Sequence, residues 1–292
     1  MSYEIIVNDL TVRYKDFKAL NQVSFTLNKG KIHGLLGRNG AGKTTLLSIL
    51  SNFRKAEEGT ITIDGEDPFD HPRIMQGTAF IYDKDQTYEY EKVGDVLKEL
   101  SDFRPNFDAS YANELVKKFK LPLKKKINQL SKGKQSALQV TIGLACRTPL
   151  TIFDEAYLGM DAPTRELFYK ELLADQEKHP RTMIVSTHLV SEMDYLFDEV
   201  TIIHHGKILL QDTNENVISK GFSITGNKDH VDAFTNELEV LNSQILGGTK
   251  SVMVFGELSE QKRREAKDLD LDIGPLSLHD LFIHLTKEED EA

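Results

Sequence analysis

Eight residues constrain this chain more than any others. Gly37-Arg38-Asn39-Gly40-Ala41-Gly42-Lys43-Thr44 satisfies the pattern G-x-x-x-x-G-K-[ST]. Residues 31–36 before it read as a short apolar strand, and residues 43–52 after it as a helix. That order is what a phosphate-binding loop requires. Glycines let successive backbone N–H groups face one concavity, and the helix dipole adds attraction for an anion. Lys43 is expected to bridge the β- and γ-phosphates of a nucleotide, and the Thr44 hydroxyl to ligate Mg²⁺. A chain of this length meets the pattern by chance roughly one time in a hundred.

A second half-site stands far along the chain. Leu150-Thr151-Ile152-Phe153 reads as a buried strand that ends in Asp154-Glu155, and residues 182–185 read as another that runs into Ser186-Thr187-His188. Asp154 is expected at the magnesium. Glu155 is expected beside the γ-phosphate, where it orients or deprotonates water. His188 is expected to hydrogen-bond the γ-phosphate, although a lone histidine at a strand end also suits a structural role. Leu130-Ser131-Lys132-Gly133-Lys134 precedes a helical pattern. Ser131 and Gly133 there read either as a further anion site or as a plain helix cap.

The ordered set of P-loop, helical insertion, Leu-Ser-x-Gly, Asp-Glu and His resembles the nucleotide-binding subunits of ATP-binding cassette (ABC) transporters over about residues 3–212. The resemblance implies an α/β fold: a RecA-like core, an antiparallel β subdomain and a helical subdomain over about residues 84–149. It implies an ATPase that uses ATP and Mg²⁺, with Gly37, Asn39, Gly40, Ala41, Gly42, Lys43, Thr44 and Thr45 around the nucleotide. Residues 130–134 become the signature motif, in which Ser131 and Gly133 cap the γ-phosphate held by a partner chain. Asp161, in Gly159-Met160-Asp161, links the two sites. Tyr14 matches the aromatic that stacks on adenine, with a core strand tyrosine as the bland alternative.

Three departures from the family pattern stand out. Lys132 and Lys134 replace the usual Gly and Gln of the signature, a form similar to ATPases of small bacterial exporters, including those encoded beside GntR-type regulators. Ala156-Tyr157 replaces Pro-Thr. Asp83 stands where a glutamine is usual, with Gln86 three residues later, and is carried over as a residue of the metal shell.

Composition narrows the partners. The net charge of −10 without a strong cationic cluster argues against nucleic acid, and residues 117–126 read as a solvated basic helix face and loop. The single cysteine, Cys146, excludes an internal disulfide and reads as packing. No signal peptide is expected from the first residues, and no apolar run reaches the ~18 residues of a spanning helix. The expected partners are therefore a second copy or a related ATPase in a head-to-tail dimer, and an integral membrane permease. The chain would work in the cytoplasm, at the inner face of the membrane, without inserting itself. Two other readings stay open: a soluble ABC ATPase acting on ribosomes or nucleic acid, and a nucleotide-responsive subunit with little hydrolysis.

Residues 213–292 read as a small α/β domain for packing or dimer contacts. Strands are expected at 222–225, 251–255 and 269–273, and helices at 229–241, 259–267 and 278–286. A capping box joins Ser277 to Asp280. His204-His205-Gly206 lies where the family has a hairpin turn, and the two imidazoles are expected on opposite strand faces.

Overall fold

The computed structural model describes residues 1–82, 88 and 90–287; Asp83 and Gln86 lie outside them. The elements run β1 (Ile5–Tyr14), β2 (Phe17–Leu27), β3 (Ile32–Leu36), α1 (Lys43–Leu50), β4 (Glu58–Ile63), α2 (Pro72–Gln76), β5 (Thr78–Tyr82), α3 (Val93–Phe103), α4 (Ala109–Lys118), α5 (Lys132–Ala145), β6 (Leu150–Asp154), α6 (Ala162–Lys178), β7 (Thr182–Thr187), β8 (Glu199–His204) and β9 (Lys207–Thr213). After them come α7 (Asn214–Ser219), β10 (Gly221–Asn227), α8 (Lys228–Thr235), β11 (Val240–Leu246), β12 (Thr249–Phe255), α9 (Glu260–Asp268), β13 (Asp272–Pro275) and α10 (Leu278–Leu285).

The central sheet has the order β5-β6-β7-β3-β8-β9. Its first five strands are parallel, and β9 returns antiparallel along β8. Strands β3, β6 and β7 are buried at every position, as strands covered on both faces must be. Because β3 lies between β7 and β8, the loop that leaves its C-terminal end opens beside the ends of β6 and β7, where open α/β sheets bind ligands.

One face of this sheet carries α1 and, beyond it, the antiparallel sheet β2-β1-β4. Ile5, Val7, Leu10 and Val12 of β1 share a core with Leu46, Leu47 and Leu50 of α1 and with Leu150, Ile152 and Ile184. The other face carries the helical insertion. In α3 the buried residues Val93, Val96, Leu97 and Leu100 recur at helical spacing. In α5 a glycine decides how closely helix meets strand: a Cβ at Gly143 would lie 2.6 Å from the Phe153 ring of β6.

The C-terminal part forms an antiparallel sheet of order β11-β12-β10-β13. Its own core gathers Phe222, Ile224, Val231, Phe234, Val252, Val254, Ala266 and Leu271. Two expectations need correction. The helix expected over 229–241 stops at Thr235, and residues 240–246 form β11 instead. Val231, Phe234, Leu238 and Leu241 keep helical spacing, but pairing with β12 across the Gly247-Gly248 turn overrides that local preference. The strand expected at 269–273 runs over Asp272–Pro275, since Leu269 still closes α9 and Asp270 turns at φ 56°. The Ser277–Asp280 capping box is present.

The last helix leaves this small core. Leu276, Leu278, Leu281 and Phe282 join the main core with Val190, Met193 and Leu196, and Val217 of α7 joins it too. The C-terminal part is therefore packed into the segment that follows His188. Among the described residues, no helix is long and apolar enough to cross a membrane.

Candidate functional site

Leaving β3, the chain turns through two glycines in the left-handed region, Gly40 at φ 82° and Gly42 at φ 111°. At Gly42 space is closed as well, because a Cβ would lie 2.7 Å from the Ala19 carbonyl oxygen. Helix α1 then begins with no side chain capping it and no acidic residue in its first turn. Its leading N–H groups are left to an anion. Lys43 is buried, and its Nζ donates to the carbonyl oxygens of Gly37 at 2.7 Å and Arg38 at 3.3 Å. It also pairs with Glu155 Oε1 at 3.3 Å.

The ends of β6 and β7 supply the acids and the imidazole. Asp154, opposite Ser186 in the last register pair, is buried and accepts the Ser186 hydroxyl. Burial raises its pKa above the ordinary carboxylate value; hydrogen bonds from Ser186 and Thr44 oppose this, Glu155 adds to it, and Lys43 opposes it. Glu155 stands at φ 51°, a conformation that costs a non-glycine residue about 1–3 kcal/mol and that clusters at functional sites. His188 Nδ1 lies 2.8 Å from Glu155 Oε1. Glu155 thus bridges Lys43 and His188, residues far apart in sequence.

An open cleft of about 270 Å³ runs from this point to the β1–β2 hairpin. Of the expected residues, Tyr14, Asn39, Gly40, Ala41, Gly42, Lys43, Thr44, Thr45 and Glu155 line it, while Gly37 opens the loop. Tyr14 is 49% exposed, so it is no core tyrosine. The Arg54 guanidinium covers its ring, 4.2 Å from the centroid. Phe17, 61% exposed, also lines the cleft and was missed by the sequence reading. It pairs directly with Tyr14 across a two-residue turn, a signal visible in Tyr14-Lys15-Asp16-Phe17.

Ser131, Gly133 and Asp161 do not line this cleft. Ser131 is the exposed N-cap residue of α5, and its hydroxyl does not cap the helix. The backbone of Gly133 is held against the loop after β6, where a Cβ would lie 3.0 Å from the Gly159 carbonyl oxygen. Lys134 turns away to donate to the Phe119 carbonyl oxygen at 2.5 Å. Asp161 caps α6 by accepting the Thr164 N–H at 3.0 Å, and these bonds lower its pKa. His205 and Gly206 form the β8–β9 turn, and the rings of His204 and His205 lie 4.0 Å apart rather than on opposite faces. The cause is His205, at φ 45° in the turn and outside the strand alternation. Asp83 lies outside the described residues.

This sheet order, this loop and these two strand ends define a P-loop ATPase of the ATP-binding cassette type. The family described as ABC transporter matches residues 20–158. The chain is 31% identical over 225 residues to an uncharacterized ABC transporter ATP-binding protein of Methanocaldococcus jannaschii, covering 75% of this chain and 81% of that one. It is also 31% identical over 197 residues to the ABC transporter ATP-binding protein YtrB of Bacillus subtilis; that match spans 65% of each protein's length. A solved structure of an ATP-binding subunit of an ABC transporter superposes with a TM-score of 0.66 at 24% identity, covering 73% of this chain and 91% of that chain. The chain belongs to the family of ABC transporter ATP-binding proteins.

Proposed function

We propose that this chain hydrolyses Mg-ATP to drive a membrane exporter, as a head-to-tail pair with a second copy or a related ATPase, at the inner face of the cell membrane. The observation that carries the reading is the division of the site. Lys43, Glu155 and His188 meet beside the P-loop, whereas Ser131 and Gly133 stand outside the cleft. A second chain is the simplest source of the missing donors. The export direction rests on the Leu130-Ser131-Lys132-Gly133 form alone.

In this reading the base stacks at Tyr14 and Phe17, and the triphosphate lies on residues 37–45. Lys43 exchanges Glu155 for the β- and γ-phosphates, which frees that carboxylate to accept a proton from water. His188 holds the γ-phosphate and keeps Glu155 oriented. Ser131 and the amide of Gly133, from the partner, donate to the same phosphate. Thr44 and Asp154 offer a hard oxygen donor pair that suits magnesium, with Asp83 proposed as a third. The ion, when bound, neutralises charge on the β- and γ-oxygens.

In this reading a permease would dock on a groove with an exposed aromatic. A groove of about 490 Å³ between β5 and the helical insertion is lined by Phe53, Met75, Phe80 and Tyr82, with Phe53 67% exposed. Exposed aromatics of this kind mark protein interfaces. The test is affinity purification of tagged Glu155→Gln protein with ATP from detergent-solubilised source cells. A stoichiometric multi-pass membrane protein is expected; ribosomal or DNA-bound proteins in its place would overturn the transporter reading.

A further inference from the structure

The β6–β7 register ends with Asp154 opposite Ser186. The residues that the chemistry needs come just after it, Glu155 on one strand and His188 two places beyond Ser186 on the other. Past its last pair a sheet no longer sets the spacing of its strands. Here a side chain takes over. Tyr157 is fully buried, and its hydroxyl donates to Thr187 Oγ1. The Leu189 N–H donates to the same oxygen at 2.8 Å, so both neighbours of His188 are tied to one atom. On the other side, Tyr157 belongs to the turn that Glu155 begins: Leu158 N–H donates to the Glu155 carbonyl oxygen at 3.1 Å and Met160 N–H to that of Tyr157 at 3.0 Å. The ring stacks on Phe168 at 6.2 Å and meets Tyr169 edge-on at 6.0 Å. Burial pushes the phenol pKa far up, so the hydroxyl stays a donor.

We infer that Tyr157 is a positioning residue for hydrolysis, whose hydroxyl, through Thr187, sets the spacing at which Glu155 and His188 meet. The inference rests on the ATP-hydrolysing reading above and assigns a task to a residue that reading leaves unused. A ring buried only for packing would need no hydroxyl, and the difference is measurable.

The experiment compares Tyr157→Phe with the parent, in the full-length wild-type chain and again in Glu155→Gln, by steady-state phosphate release with Mg-ATP across a pH series. Tyr157→Phe keeps the ring and removes one oxygen. In the wild-type chain kcat is expected to fall about tenfold, as for one lost hydrogen bond at the transition state, with KM for ATP held within about twofold. The pH profile of kcat should shift with the loosened Glu155–His188 contact. In the Glu155→Gln background the same change should add nothing further, since its effect runs through that carboxylate. Thr187→Val should reproduce the loss and Thr187→Ser should restore the rate. An unchanged kcat and pH profile, or an equal loss in both backgrounds, would overturn the inference while leaving the ATPase reading standing. Wild-type protein that releases no phosphate would overturn both.

Discussion

At the end of β3, the side chains beside the P-loop are engaged with one another. Lys43 holds two carbonyls and Glu155, Glu155 holds His188, and Asp154 accepts from Ser186. At the start of α5 the opposite holds: Ser131 is exposed and its hydroxyl leaves its own helix uncapped. The first region is internally bonded because three strands, β3, β6 and β7, and the helix α1 converge on it. The second is an exposed surface whose backbone at Gly133 lies close against Gly159. In the proposed function one chain would carry two unlike halves of a site, and a neighbour would complete the chemistry.

The sharpest way to break that comparison is to mix two damaged chains. Lys43→Ala and Ser131→Ala should each lower ATP turnover by roughly 10²–10³, the loss seen when one transition-state donor is removed. Mixed together they should recover turnover, because one of the two composite sites then keeps both residues. Phosphate release from the mixture checks this; recovery would fail if Ser131 served its own cleft. A smaller effect belongs to the base end. Tyr14→Ala should raise the Kd for ATP roughly tenfold by loss of stacking, while Ser131→Ala leaves binding to the single chain unchanged. Calorimetric titration below the dimerisation range separates the two.

The smallest effect is one of stability. The folded-state pKa of Asp154 is raised above its ordinary 3.8, mainly by burial, so the folded protein binds this proton more tightly than the unfolded chain. Its stabilising contribution is complete below the unfolded value and is lost as pH rises through the folded one. Asp154→Asn cannot ionise and still accepts the two hydroxyls. In nucleotide-free protein it should raise the Tm by a few degrees near neutral pH, a gain that shrinks toward about pH 4. A lower Tm at neutral pH would show that Lys43 and the hydroxyls outweigh burial.

Legibility in the sequence followed distance along the chain. The P-loop needs only eight adjacent residues and the strand and helix around them, so its pattern carried its geometry. Asp154-Glu155 and His188 could be ordered but not spaced, because β6 meets β7 only through the parallel pairing of segments about thirty residues apart. Phe17 went unnoticed although its two-residue hairpin was visible. In the C-terminal part, local periodicity drew one helix where a turn and a strand stand, since the pairing of β11 with β12 is a non-local choice.

Sequence alone determined where the glycine-rich loop stands between strand and helix, because loop conformation and helix start are local properties. It also determined that apolar strands would deliver acids and an imidazole to one end of a sheet. The tertiary structure alone decided that Glu155 touches both Lys43 and His188, that Tyr157 reaches Thr187, and that α10 packs behind the segment after His188. Those are contacts between segments that no spacing rule relates, and only the packing of sheet and helices brings them within bonding distance.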